Sequence, residues 1–128
     1  MWVNILINLA PANIRKEGSS FDLPISVGIL MSIGVLCNLN YSEIVNTVFI
    51  GELSLDGKIN RTNGVFAMCE EAKELGIKRV IIPKANSNEV SVINGLDIIP
   101  VMTLCELIKY LNKEIIIEKE IELSLIHI

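Results

Sequence analysis

The feature that most restricts the fold is the alternation of segment types after residue 64. Val65, Met68, Cys69, Ala72 and Leu75 recur at helical spacing, and Gly76 is placed to stop that helix. Its other side, with Glu70, Glu71, Lys73 and Glu74, reads as a solvated face. The run Lys78–Pro83 then reads as a short buried strand, Asn86–Ile93 as a short helix or turn, and Leu96–Val101 as another strand. Thr103 is the expected cap of a last amphipathic helix, Leu104–Leu111. Helices interposed between consecutive strands impose parallel crossover connections, so this half belongs to the α/β class.

The upstream half adds other elements. Thr47–Leu55 reads as a strand that Asp56-Gly57 turns back into Lys58-Ile59-Asn60, the strongest hairpin signal in the chain. Before it, the stretch from Leu23 to Leu36 is apolar or small on almost every side, with Asp22 as expected cap and Pro24 in the first turn. An all-round apolar helix belongs either in a core or in lipid. As a candidate span, residues 23–39, it is about 17 residues, the short limit, and it carries Pro24, Ser26, Gly28, Ser32 and Gly34. The reading adopted is a central helix whose small residues let strands approach, with no membrane partner. Val3, Ile5, Ile7 and Leu9 alternate with polar Asn4 and Asn8, as in a half-buried strand lacking neighbours, so the N-terminus is expected to be a cut edge. Residues 1–112 are read as one partial domain, and 113–128, where Ile alternates with Glu and Lys, as a linker or truncated tail.

Composition narrows the function. A chain of 128 residues makes one domain, and 51% hydrophobic residues exclude a disordered chain. Eleven Lys and Arg against fifteen Asp and Glu leave net charge −4, which excludes a general electrostatic grip on nucleic acid. Arg15, Lys16, Lys58, Arg61, Lys78 and Arg79 could give at most weak, salt-sensitive DNA binding. Cys37, Cys69 and Cys105 form no Cys-x-x-Cys pair, the usage of a reducing, cytoplasmic compartment. The one histidine, His127, cannot supply a His-based metal site or a Ser-His-Asp triad, and no metal site is expected.

Two motifs carry possible chemistry. Gly51 to Ile59 has five residues between its glycines and Ile after Lys58, so it is a hairpin and not a phosphate-binding loop. Ser19 and Ser20 precede the apolar helix, where backbone N–H groups and the dipole favour an oxyanion. A nucleophilic Ser there needs a desolvated lysine as base, from among Lys16, Lys58, Lys73, Lys78 and Lys84. The plain alternative is a Ser serving as N-cap.

Three ordered blocks carry a family resemblance over roughly residues 3–112. The first runs from Val3-Asn4 through Asn8-Leu9-Ala10-Pro11 to Lys16-Glu17-Gly18-Ser19-Ser20-Phe21-Asp22-Leu23-Pro24-Ile25. The second is Phe49-Ile50-Gly51-Glu52-Leu53-Ser54-Leu55-Asp56-Gly57, and the third is Ala72 to Lys84, ending Ile82-Pro83-Lys84. Together they resemble the N-terminal domain of the bacterial magnesium-chelatase-like AAA+ ATPases, the ComM or YifB family. That domain is similar to the Lon proteolytic domain and, more weakly, to the C-terminal domain of the ATPase RadA. The resemblance implies an α/β (α+β) fold of the ribosomal-protein-S5 domain-2 type, a mixed sheet with packed helices.

It also implies where Lon-type chemistry would sit. The nucleophile position falls on Ser20, followed by Phe21-Asp22 where Lon has Ala-Gly. The Lon lysine follows a Gly-Gly pair; here that pair reads Asn63-Gly64 and the lysine position falls on Phe66. A Ser without a base is a poor nucleophile, so the expectation is a non-catalytic domain. The alternative is a Ser-Lys peptidase on Ser20 using Lys58 or Lys84. For the full-length family the resemblance implies ATP and Mg²⁺ in an AAA+ module absent here, a homo-hexamer, and DNA branch migration in natural transformation. This chain itself would then need no cofactor. Its partners would be its own AAA+ module and neighbouring subunits, with DNA reached through the whole protein.

Overall fold

The computed structural model describes residues 22–36, 38 and 40–117. The expected strand Val3–Leu9, the Lys16–Ser20 motif, Cys37 and His127 lie outside the described residues. Helix α1 (Asp22–Ser32) leads through a loop to the short helix α2 (Tyr41–Val45), strand β1 (Thr47–Phe49) and the hairpin strands β2 (Glu52–Leu53) and β3 (Ile59–Asn60). Helix α3 (Val65–Glu74), strand β4 (Arg79–Pro83), a 3₁₀ segment (Lys84–Val90), strand β5 (Asp97–Val101) and helix α4 (Leu104–Leu111) follow.

The three longer-range strands form one parallel sheet in the order β1-β4-β5, and β2 and β3 pair antiparallel. Val48 lies opposite Val80, and Val80 opposite Ile98, so apolar rows cross the sheet in register. The pleat sends alternate residues to opposite faces. Phe49, Ile81, Ile99 and Val101 pack with Leu23 and Val27 of α1 and Leu107 and Leu111 of α4. Val80, Ile82 and Ile98 pack on the other side with Val65, Cys69 and Ala72 of α3 and with Val90. A sheet covered on both faces needs unbroken apolar strands, which is why Val80-Ile81-Ile82 shows no polar alternation. Full burial of each such side chain contributes about 1.5–3 kcal/mol. The α/β class expected from the sequence is the one observed.

Three local features differ from expectation. The stretch 47–55 is not one strand: β1 ends at Phe49, and β2 begins at Glu52 in a different sheet. The break falls at Gly51, where a Cβ would sit 2.7 Å from Ile59 Cγ2 and 3.3 Å from Leu23 Cδ2. Helix α1 ends at Ser32 instead of running to Leu36, because Gly34 adopts φ +88. Its N–H donates to Met31 O at 3.2 Å and that of Val35 to Leu30 O at 3.0 Å, the paired bonds of a Schellman stop.

The third difference is that α1 is not enclosed on all sides. It buries Leu23, Pro24, Val27 and Gly28, while Ile25 and Ile29 are exposed. Gly28 does lie on the buried side, as the small-residue reading requires, but only one face of the helix meets the sheet. Asp22 is the first helical residue and not the cap, so its carboxylate complements the positive helix end from within the first turn. None of the described helices is long and apolar enough to cross a membrane.

A side chain at Gly51 must displace the β-branched Ile59, which is itself buried. Gly51→Ala is expected to destabilise the chain by about 1–3 kcal/mol. Urea unfolding checks this as a lowered midpoint at constant slope; an unchanged midpoint would show that Ile59 does not approach Gly51 so closely.

Candidate functional site

The carboxyl edge of the parallel sheet gathers the second and third motif blocks. Gly51 follows β1, Pro83 closes β4, and Lys84 opens the 3₁₀ segment. A Cβ on Gly51 would lie 3.7 Å from Pro83 Cγ, so these two family-motif residues and Leu23, next to Asp22, converge. Ligands of open α/β sheets commonly sit at such an edge. In this chain the hairpin covers it: Ile59 N–H donates to Met102 O at 2.9 Å, and Leu104 N–H to Gly57 O at 2.8 Å. Lys58 bridges antiparallel to Thr103.

The hairpin turn is as legible in space as in sequence. Ser54 N–H donates to Lys58 O and Gly57 N–H to Ser54 O, both at 2.9 Å. The Asp56 carboxylate accepts from Lys58 N–H at 3.2 Å, so Asp56 is spent on its own turn. Asn60 donates through Nδ2 to the Ser54 hydroxyl across the hairpin. Glu52 faces Asn60 in the β2–β3 register and is half-buried. Leu55, at the tip, is fully exposed.

The approach to α3 is fixed by a residue that sequence reasoning missed. Asn86 is fully buried; its Oδ1 accepts from Thr62 N–H at 3.0 Å and its Nδ2 donates to Thr62 O at 2.9 Å. One side chain thus pairs with both backbone groups of Thr62, as a neighbouring strand would. Nδ2 also donates to Glu89 Oε1 at 3.2 Å, and the same oxygen is 3.2 Å from Arg61 Nη2. Arg61 Nη1 donates to Ala85 O at 3.0 Å. The loop before α3 is thereby clamped to the segment after β4. No spacing rule singles out Asn86 within Lys84-Ala85-Asn86-Ser87-Asn88, because its partner is backbone 24 residues away.

Phe66, the second residue of α3 and the residue on which the family resemblance places the lysine position, is 41% exposed. Ser20 and its neighbours Lys16, Glu17, Gly18 and Ser19 lie outside the described residues. The Lys84 carbonyl accepts from the Ser87 hydroxyl at 2.8 Å. Of the cations considered for DNA, Arg61 is engaged as above, and Arg79 donates from Nε to Thr47 Oγ1 and from Nη1 to Tyr110 OH, each at 3.1 Å. Among the described residues no group of three or more His, Cys, Asp or Glu is placed to hold a metal ion.

Cys69 sits inside the helix–sheet core and Cys105 is exposed. Burial, then the Glu89 and Glu70 charges, pushes the Cys69 thiol from its ordinary 9.0 up to about 12. That marks an inert packing residue, because the thiolate is the reactive form.

Among the described residues, a three-stranded parallel sheet with helices on both faces, roofed at its carboxyl edge by the hairpin, defines the class: an α/β domain in which Gly51 and Pro83 meet where β1 hands over to the hairpin. Residues 3–86 match the family model described as subunit ChlI of Mg-chelatase, and the chain belongs to that family. It is 35% identical over 108 residues to competence protein ComM of Haemophilus influenzae, covering 84% of this chain and 20% of that protein. It is 36% identical over 91 residues to YifB of Escherichia coli, covering 71% of this chain and 17% of that one. Lon protease 2 of Bacillus subtilis is 38% identical over 93 residues, covering 71% of this chain and 17% of the protease. The chain thus spans about a fifth or less of the length of these curated relatives.

Two outcomes follow from this geometry. Asn86→Ala leaves the buried N–H and C=O of Thr62 without partners, and a loss of about 2–4 kcal/mol is expected in urea unfolding. A loss under 0.5 kcal/mol, roughly that of an ordinary surface change, would show that the clamp is dispensable. The raised Cys69 value contributes stability that is complete below about pH 9 and is lost as pH rises towards about 12, since only the unfolded chain ionises the thiol in that window. Cys69→Val should therefore show a shallower alkaline decline than the parent when unfolding is compared at pH 8 and 10.5.

Proposed function

We propose that the chain is a non-catalytic, Lon-like domain of a magnesium-chelatase-like AAA+ ATPase of the ComM or YifB kind. Its work is contact: with the ATPase module that would hold ATP and Mg²⁺, and with neighbouring subunits of a homo-hexamer in the cytoplasm. DNA branch migration during natural transformation is the activity assigned to the whole protein, with DNA handled by the assembly and not by this net-acidic chain. The observation that carries this reading is Phe66. A serine hydroxyl titrates far above neutral pH and attacks a carbonyl only when a nearby group takes its proton. A phenyl ring has no lone pair to do so. The name of the Haemophilus relative, a competence protein, supports the placement in DNA uptake.

The peptidase alternative rests on Ser20 with Lys58 or Lys84 as an unconventional base, and no described observation favours it. A fluorophosphonate probe separates the readings, because it forms a covalent adduct only with an activated serine. Intact mass after overnight exposure at pH 8 is expected to be unchanged. An adduct mapped to Ser20, and abolished by Lys58→Met or Lys84→Met, would overturn the non-catalytic assignment. A genomic read through the locus, in frame, tests the other half: a downstream Walker A motif is the expected finding.

A further inference from the structure

The amino edge of the sheet, opposite the edge just described, is closed by a polar network that, apart from Arg79, lies outside the family motif blocks. Its most unusual member is Lys113, the one described non-glycine residue with positive φ, at +66. Helix α4 ends in a Schellman arrangement, with Lys113 N–H donating to Tyr110 O at 3.0 Å and Glu114 N–H to Lys109 O at 2.8 Å. Lys113 therefore occupies the left-handed position that glycine normally fills, and a β-carbon there is strained. Glycine would satisfy the helix end without that strain, so the reason for a lysine must lie in its side chain.

That side chain reaches across the domain. Lys113 Nζ donates to Asn38 O at 2.8 Å and to Glu43 Oε1 at 3.1 Å, contacts 75 and 70 residues away in sequence. Asn112 works beside it: its Nδ2 donates to Val35 O at 3.0 Å, and its own carbonyl accepts from Asn38 Nδ2 at 2.9 Å. Glu43 is held independently, since its carboxylate also accepts from Asn40 N–H at 3.1 Å in a capping box. Burial raises the Glu43 pKa, but the Asn40 hydrogen bond and the Lys113 and Arg79 charges outweigh it and leave it below its ordinary value. The network runs on into the sheet. Thr47 Oγ1 donates to Glu43 O at 2.6 Å and accepts from Arg79, whose guanidinium also lies 5.5 Å from the centre of the Tyr110 ring.

We infer that Lys113 is the pin of an exit latch: its ammonium fastens the end of α4 to Asn38 of the α1–α2 loop and to Glu43 of α2, and its release turns residue 113 into a hinge. The latch couples the point where the chain leaves α4 to the end of α1, the helix whose other end carries the first motif block. A left-handed residue strained for lack of glycine is suited to this role, because the strain favours opening once the ammonium bonds are lost. The inference goes beyond the proposed function and does not depend on it.

Amide hydrogen exchange on the full chain tests the latch, reading peptides over residues 35–43 and 112–117 against β4 as the fold control. Two variants are used. Lys113→Asn keeps a side chain tolerant of left-handed φ but removes the ammonium, and Glu43→Gln removes the ion pair while keeping an acceptor for Asn40 N–H. Both are expected to speed exchange on the order of tenfold in the two latch peptides, with β4 unchanged. Unchanged exchange in those peptides, or an equal rise in β4, would overturn the latch, the first because nothing opens and the second because the whole domain loosens.

Discussion

Everything in the domain hangs on β4. Val80, Ile81 and Ile82 have no solvent exposure, and the strand is paired on both edges, to β1 and to β5. A central parallel strand reaches its neighbours through crossovers, here α3 between β1 and β4 and the 3₁₀ segment between β4 and β5. Helix α3 covers the Val80 and Ile82 side, while α1, before β1, and α4, after β5, cover the Ile81 side. The hairpin, too weak as a two-stranded ribbon to persist alone, is stabilised because its returning strand bonds the chain between β5 and α4.

Much of this was legible in the sequence, and the reason is physical. Parallel-sheet strands read as short unbroken apolar runs, and Val80-Ile81-Ile82 and Ile98-Ile99 are such runs. Amphipathic spacing marked α3 and α4, and Thr103 caps α4 as expected, accepting from Glu106 N–H. The Asp56-Gly57 turn was equally plain. What was hidden depended on partners distant in sequence. Gly51 looks like any strand glycine until Leu23 and Ile59 close on it. Gly34 looked like one more small residue of an apolar helix, whereas its left-handed backbone ends that helix. Asn40 and Glu43 do carry a capping-box spacing, so α2 could have been read from the polar turn.

The same distinction governs the candidate site. The family resemblance singled out Gly51, Glu52, Asp56, Gly57, Pro83 and Lys84, and the fold brings Gly51 to Pro83 at the carboxyl edge of the sheet. Asn86, which holds the loop leading to Gly64 and Phe66, had no signature, because an amide pairing with distant backbone follows no pattern in its own neighbourhood. Cys69 illustrates the reverse case. A cysteine on a helix near a site invites a chemical reading, yet its burial beside Glu70 and Glu89 keeps the thiol protonated and leaves it a small apolar side chain.

The two edges of the sheet are held in different ways, and the difference bears on how such a domain can transmit force. At the carboxyl edge the contacts are apolar packing and hydrogen bonds to backbone: Gly51 against Ile59, the hairpin against Met102 and Leu104, the Asn86 amide against Thr62, with the exposed Arg61–Glu89 pair alongside. The packing and the backbone-directed bonds change little with salt and yield only if the fold yields. At the amino edge the bonds are long side chains meeting across loops, with Lys113 half-exposed and charged. Such contacts open at modest cost, on the order of 1–3 kcal/mol for charge-assisted hydrogen bonds. A domain rigid at one edge and openable at the other has a built-in direction. Motion imposed on the chain leaving α4 would reach the end of α1 through Asn112 and Lys113 before it disturbed β4, and would leave the hairpin-covered edge in place.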